Sequence, residues 1–136
     1  MQAIRGKDTT PELLVRSMVH RLGLRFRLHG RKLPGKPDLV LARHRTVIFV
    51  HGCFWHRHDC RLAANPKTRQ EFWATKFLAN VERDQRVKAQ LENLGWRVVE
   101  IWECETRGAE TLELRLRREF AYALAPSRAV ERVSPP

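Results

Sequence analysis

No run in this 136-residue chain approaches the ~18–20 consecutive apolar residues that a membrane span needs. Its start, Met1-Gln2-Ala3-Ile4-Arg5-Gly6-Lys7-Asp8, lacks the apolar stretch of a signal peptide, so a cytoplasmic protein is expected. Cysteine is scarce and odd in number, at positions 53, 60 and 104. In a cytosolic chain that argues against a disulfide framework and leaves metal ligation or buried thiols. Acid is the other shortage. Fifteen Asp and Glu face 26 Lys and Arg, a net charge of +11. Such a surface seeks polyanions, nucleic acid first; a merely soluble basic protein, or one bound to membranes or ribosomes, is the bland alternative. The basic residues are spread along the chain, which favours a folded binding face over a disordered arm. There is no internal repeat, and nothing resembles an RNA-binding motif.

What is present suffices for one domain. A chain of this length buries about two thirds of its unfolded surface, and 43% of its residues are hydrophobic. The domain is expected over 1–125, with 126–136 a disordered tail. Thr9-Thr10-Pro11-Glu12 is a helix start, with a hydroxyl cap, an early proline and an acid near the positive helix end. Leu14, Met18 and Leu22 recur at helical spacing, and Gly23 stops the helix. Phe26 to Leu28 is a short strand, Leu33 to Pro37 a turn, Asp38 to Ala42 a second strand, Arg43 to Arg45 a turn, and Thr46 to Val50 a third strand. Thr68 caps a long helix to about Asn93, ended near Gly95. Arg97 to Glu103 is a fourth strand. Leu112, Leu116, Phe120 and Ala123 mark a last helix. The order α-β-β-β-α-β-α predicts an α/β fold, a mixed four-stranded sheet flanked by helices.

Chemistry is densest at His51-Gly52-Cys53-Phe54-Trp55-His56-Arg57-His58-Asp59-Cys60, directly after the third strand. Cys53, His58 and Cys60, joined by Cys104 after the fourth strand, form a Cys₃His set suited to tetrahedral structural zinc. Cys104 approaches if the fourth strand runs beside the third. Buried thiols beside surface histidines would read the same way. A second grouping is Pro37-Asp38 at a strand start, His51, His56, and Glu12 in the first helix. Phosphodiester hydrolysis needs an activated water and charge stabilisation at phosphorus, which a hard divalent ion on Asp38 can supply. His51 and His56 can move protons near neutral pH. Taken alone, Pro-Asp is also a common turn, and Glu12 a common helix-start acid.

Placed together, these segments resemble the very-short-patch repair (Vsr) DNA mismatch endonucleases, whose fold is the restriction-endonuclease-like PD-(D/E)xK nuclease fold. The resemblance runs over roughly residues 2 to 108. It is carried by Ile4-Arg5-Gly6-Lys7-Asp8-Thr9, Leu33-Pro34-Gly35-Lys36-Pro37-Asp38, Val47 to His56, Glu71-Phe72-Trp73, Asn80-Val81-Glu82-Arg83-Asp84, Gly95-Trp96-Arg97-Val98 and Trp102-Glu103-Cys104. The His-Gly-Cys-Phe-Trp-His block is its most specific part. The second acid and lysine of the broader nuclease motif are absent between Val47 and His51, as in Vsr, where histidines take over.

The resemblance implies an Mg²⁺-dependent enzyme that nicks one strand 5′ of the thymine in a T·G mismatch, left by 5-methylcytosine deamination. That nick starts very-short-patch repair. Asp38 and the backbone carbonyl of Val50 would hold Mg²⁺, His56 would be the general base, and His51 and Glu12 would position water and support proton transfer. Cys53, His58, Cys60 and Cys104 match the structural Zn²⁺ ligands. Phe54, Trp55 and Trp73 match an aromatic wedge that enters the duplex beside the mismatch. Aromatic faces there replace stacking worth ~1–3 kcal/mol per base. Lys76 and Asn80, on one helical face with Trp73 and Arg83, match positions near the mismatched pair; a solvated polar face has the same pattern. Arg5, Lys7, Lys36 and Arg57 are candidate phosphate contacts.

The implied partners are double-stranded DNA carrying a T·G mismatch and a repair ATPase of the MutL type. The implied setting is a bacterial cytoplasm, at the nucleoid. A monomer is expected, because an asymmetric mismatch does not call for two-fold symmetry. Family members carry residues ahead of the Met1 position that form a minor-groove arm. Either the start here is trimmed or misassigned, or this member grips DNA less fully. Two other readings stay open: a nuclease of the same fold with a different DNA target, and a non-catalytic zinc-stabilised DNA-binding module.

Overall fold

The computed structural model describes residues 9–53 and 68–124. Helix α1 spans Thr10–Arg21 and is capped by Thr9, whose hydroxyl accepts the Glu12 amide. Pro11 sits in its first turn, where a missing N–H costs nothing. Its end is a Schellman closure: Gly23 N–H reaches His20 O, Leu24 N–H reaches Val19 O, and Gly23 takes φ +81°. The buried stripe of α1 is Val15, Met18 and Val19. Leu14, expected on that stripe, is exposed, as is Leu13. The apolar pair 13–14 lies just off the sheet-facing side, so of the 14-18-22 spacing Met18 is in the core and Leu22 packs against it, and Leu14 alone is off the stripe.

Strand β1, Arg27–Leu28, is short and exposed. Strand β2, Leu39–Leu41, pairs antiparallel with it and with β3, Thr46–His51. A one-turn 3₁₀ helix, Ala42–His44, joins β2 to β3, and Arg45 turns the chain at φ +48°. Thr46, Val47 and Ile48 are fully buried, so both faces of β3 are covered and it lies inside the sheet.

Helix α2, Gln70–Asn93, begins after Arg69 in a left-handed conformation, with no side-chain cap. Thr68 therefore does not cap it. Its end is a second Schellman closure at Gly95, with Trp96 N–H on Leu91 O and Gly95 N–H on Glu92 O. Strand β4, Arg97–Trp102, then runs parallel to β3 in the register His51 opposite Trp102. A 3₁₀ turn, Glu103–Thr106, leads to α3, Ala109–Glu119. Phe120 is its C-cap, and Ala123 falls outside the helix.

The sheet order is β1-β2-β3-β4, mixed in sense, as the element order predicted. On one face, Leu39, Leu41, Ile48, Val99 and Ile101 pack against Val15, Met18 and Val19 of α1 and Leu112, Leu116 and Phe120 from α3 and its cap. Each fully buried side chain of this kind contributes ~1.5–3 kcal/mol. Along β3 and β4, Phe49, His51, Glu100 and Trp102 fall on the opposite face by alternation. Helix α2 reaches that side through Val87, beside Gly35 and Phe49, and through Lys88, 4.0 Å from Glu100. The start of β2 and the ends of β3 and β4 meet at one end of the sheet. Among the described residues, no helix is long and apolar enough to cross a membrane. The expected tail lies outside the described residues.

Candidate active site

At that sheet end the chain assembles four of the expected groups. The turn before β2 is tied to β1 by Gly30 N–H on Pro37 O and His29 N–H on Asp38 O, both 2.9 Å. It passes Gly35 at φ +73°, and a Cβ there would lie 2.4 Å from Val87 Cγ1. This pinned turn delivers Asp38 beside β3, where its Oδ2 accepts the Val50 N–H at 2.7 Å. In a strand, one residue's N–H and C=O face the same edge. The Val50 carbonyl therefore faces the edge that carries the Asp38 carboxylate. A carboxylate offers about four lone-pair sites, so accepting one N–H leaves Asp38 capable of further ligation. The pair fits a hard cation: one charged oxygen ligand and one neutral one.

Glu12 is 3% exposed, within the first turn of α1. Arg16 Nη2 donates to its Oε2 at 3.3 Å, and His29 Nε2 lies 3.5 Å from the same oxygen. His29 holds φ +50°, a left-handed conformation in which histidine is several-fold enriched. Through His29, whose amide is bonded to the Asp38 carbonyl, the Glu12 carboxylate is connected to the strand start bearing Asp38. The sequence reading missed Arg16 and His29. Neither carries a local motif; they are found only once α1 is docked on the sheet.

His51 ends β3 and is 6% exposed. Its Nε2 lies 3.1 Å from Glu100 Oε2. The ring stacks on Phe49 at 5.7 Å and tilts against Trp102 at 4.9 Å. Hydrogen bonding from His51 is the main cause that holds the Glu100 carboxyl below the ordinary glutamate range. Burial opposes it, the His51 and Lys88 charges assist, and Asp84 works against them. Glu100 was also missed, because its meeting with His51 depends on the parallel register of two strands 49 residues apart. Glu12 and His51 approach the sheet end from opposite faces, with Asp38 and Val50 between.

Cys53 is fully buried, and its amide donates to Glu103 Oε1 at 3.4 Å. Cys53 and Cys104 each lie two residues beyond the in-register pair His51 and Trp102, so the parallel strands deliver both thiols to one end of the sheet. Among the described residues, no group of three His, Cys, Asp or Glu is placed to hold a metal. His56, His58 and Cys60, with the expected wedge residues Phe54 and Trp55, lie outside the described residues, as do Arg5, Lys7 and Arg57.

Trp73 is half-buried near the start of α2, stacked on Phe77 at 5.8 Å and edge-on to Phe72 at 5.2 Å. Lys76 is exposed, its ammonium 5.6 Å from the Phe72 ring centre. Asn80 Oδ1 accepts from Arg83 at 2.8 Å. These residues follow one another along α2, as their spacing predicted.

This mixed α/β sheet brings a carboxylate, a carbonyl and a buried histidine together at one end, a set suited to phosphodiester hydrolysis, and comparison with known proteins makes the class specific. Residues 1–62 match the family model described as DNA mismatch endonuclease Vsr. Over 117 residues the chain is 52% identical to the type II nicking enzyme V.XorIIP of Xanthomonas oryzae pv. oryzae, covering 86% of each chain. It is 50% identical over 112 residues to the DNA mismatch endonuclease Vsr of Escherichia coli, covering 82% of this chain and 72% of that one. The type II nicking enzyme V.NmeAIP of Neisseria meningitidis is 41% identical over 118 residues, covering 87% and 84%. The chain belongs to the Vsr DNA mismatch endonuclease family and is a DNA nicking endonuclease.

Proposed function

We propose that this enzyme nicks one strand of duplex DNA 5′ of the thymine in a T·G mismatch and so initiates very-short-patch repair. The observation that carries the reading is the Asp38 carboxylate held on the Val50 amide at the sheet end, with buried His51 next in the chain. Asp38 and the Val50 carbonyl would hold Mg²⁺. When bound, that ion supplies Lewis-acid stabilisation of phosphoryl charge and lowers the pKa of water. His51 holds and moves a proton at an imidazole nitrogen, and His56 acts as general base. Glu12, clamped by Arg16 and His29, sets the electrostatic field at the start of β2 from the α1 side.

Structural Zn²⁺ on Cys53, His58, Cys60 and Cys104 is part of the same reading. Its support is the delivery of Cys53 and Cys104 to one strand end, where a Cys₃His set leaves no open position for catalysis. Phe54, Trp55 and Trp73 form the wedge, and Lys76 and Asn80 meet the DNA near the mismatch. The chain acts as a monomer within a restriction-endonuclease-like fold, in a bacterial cytoplasm, with a MutL-type ATPase as partner.

The Xanthomonas and Neisseria relatives are named type II nicking enzymes, whereas the Escherichia coli relative is named a DNA mismatch endonuclease. That favours, as a second reading, the same chemistry at a different DNA target. A strand-labelled duplex with one T·G mismatch in a CTWGG-like site, Mg²⁺, a matched duplex, other mismatches and Asp38→Ala separate the two. A single nick beside the mismatched thymine, lost in Asp38→Ala, is the expected result. Cutting of the matched duplex at the same rate would retain the nuclease and remove the repair role.

A further inference from the structure

Phe49 and His51 alternate onto one face of β3, and Glu100 and Trp102 onto the same face of β4. The His51 ring is therefore enclosed by Phe49 and Trp102, and its Nε2 meets Glu100 Oε2 at 3.1 Å. An ionised carboxylate can only accept, so the nitrogen that meets it carries the proton. On its other side, Lys88 of α2 lies 4.0 Å from the second oxygen of Glu100. The hydrogen bond from His51 holds Glu100 ionised, with its carboxyl below the ordinary range despite partial burial.

We propose that Glu100 is a positioning residue for the nicking reaction, holding His51 in one ring orientation and in its Nε2–H form. The arrangement follows the general logic of a histidine oriented by a second group, in which the second group's loss costs turnover more than binding. Glu100 touches neither substrate nor metal in this scheme; it acts through His51. The inference rests on the proposed role of His51 at the active site.

The test uses the full chain, ¹⁵N-labelled, beside Glu100→Ala, Glu100→Met, Glu100→Gln and His51→Ala. Imidazole ¹⁵N–¹H spectra read the ring state, and single-turnover nicking of the T·G duplex reads function. Wild type should show a protected Nε2–H of His51. Glu100→Ala and Glu100→Met should lose that protection and cut about 10- to 100-fold more slowly, with duplex affinity within about twofold. Glu100→Gln keeps an accepting oxygen and should restore both signals in part. Glu100→Met has nearly the shape of glutamate, so it carries the test if the alanine variant does not fold. An Nε2–H that stays protected in Glu100→Met, or full turnover once protection is lost, overturns the proposal. His51→Ala separates the two levels. If it cuts as wild type does, the reading of His51 fails; if it is crippled while Glu100→Met is not, only the role of Glu100 fails.

Discussion

Gly35 shows how one residue without a side chain can set the position of another, Asp38. Its φ of +73° is in the region that favours glycine, and an added Cβ would sit 2.4 Å from Val87 Cγ1 and 3.3 Å from Phe49 Cζ. Neither neighbour is the loose end of a flexible chain. Both lie where α2 covers the sheet, and Gly35 itself is three residues before Asp38. Gly35→Ala should destabilise the fold by about 2 kcal/mol, combining backbone strain with overpacking. Adding Val87→Ala removes the closest clash and should recover part of that loss, leaving the backbone term of about 1 kcal/mol. Urea unfolding of the two single variants and the double variant checks this. Strict additivity would mean that the turn moves away from α2 instead of pressing on it.

At the scale of elements, Arg115 does for α3 what Gly35 does for the turn. Its guanidinium donates to Glu105 Oε2 at 2.6 Å, Glu119 Oε2 at 3.0 Å and the Glu100 carbonyl at 3.0 Å. Burial alone would lower its pKa; the Glu105 and Glu119 carboxylates outweigh that and hold it above the ordinary value. One side chain thus joins α3 to β4 and to the 3₁₀ turn carrying Cys104. Arg115→Met should destabilise by about 2 kcal/mol, a figure already reduced for partial solvent screening. Arg115→Lys should recover less than half, because a point ammonium cannot reproduce the planar fork. Denaturant midpoints of the three proteins decide it, and a lysine variant as stable as wild type would refute the fork argument.

Elements of this kind were legible where their signals are local. Thr9, Gly23 and Gly95 mark real helix ends because caps are made by neighbours in sequence. The β-branched run of β3 marks a real central strand. In α1 Met18 and Leu22 were legible as core-facing, but the choice between Leu14 and Val15 was not, since it is made by the sheet beneath. The start of α2 was misread because a hydroxyl at Thr68 is a cap only if the chain enters from it, and here Arg69 enters left-handed. At the site, Asp38, Glu12 and His51 were visible as residue types suited to the chemistry. Glu100, Arg16 and His29 were not, because strand register and helix docking choose those partners.

At the scale of the whole molecule, a net charge of +11 predicts tight but salt-sensitive binding to DNA. Each neutralised phosphate should contribute about −0.9 to the slope of log K against log[salt]. The sheet gives this total charge a direction. Lys36 is exposed in the turn that leads into Asp38, at the end where β3 and β4 finish. Arg43 is exposed in the opposite turn, between β2 and β3. If the duplex lies across the Asp38 end, only the first cation reaches a phosphate. Lys36→Gln should then flatten the salt slope by about 1, while Arg43→Gln leaves it unchanged. Both substitutions remove one charge, so the difference between them isolates position from net charge. Fluorescence anisotropy of a mismatched duplex across a salt series measures both slopes. Equal flattening would mean that the charge acts as a diffuse field and that the duplex is not seated at the Asp38 end.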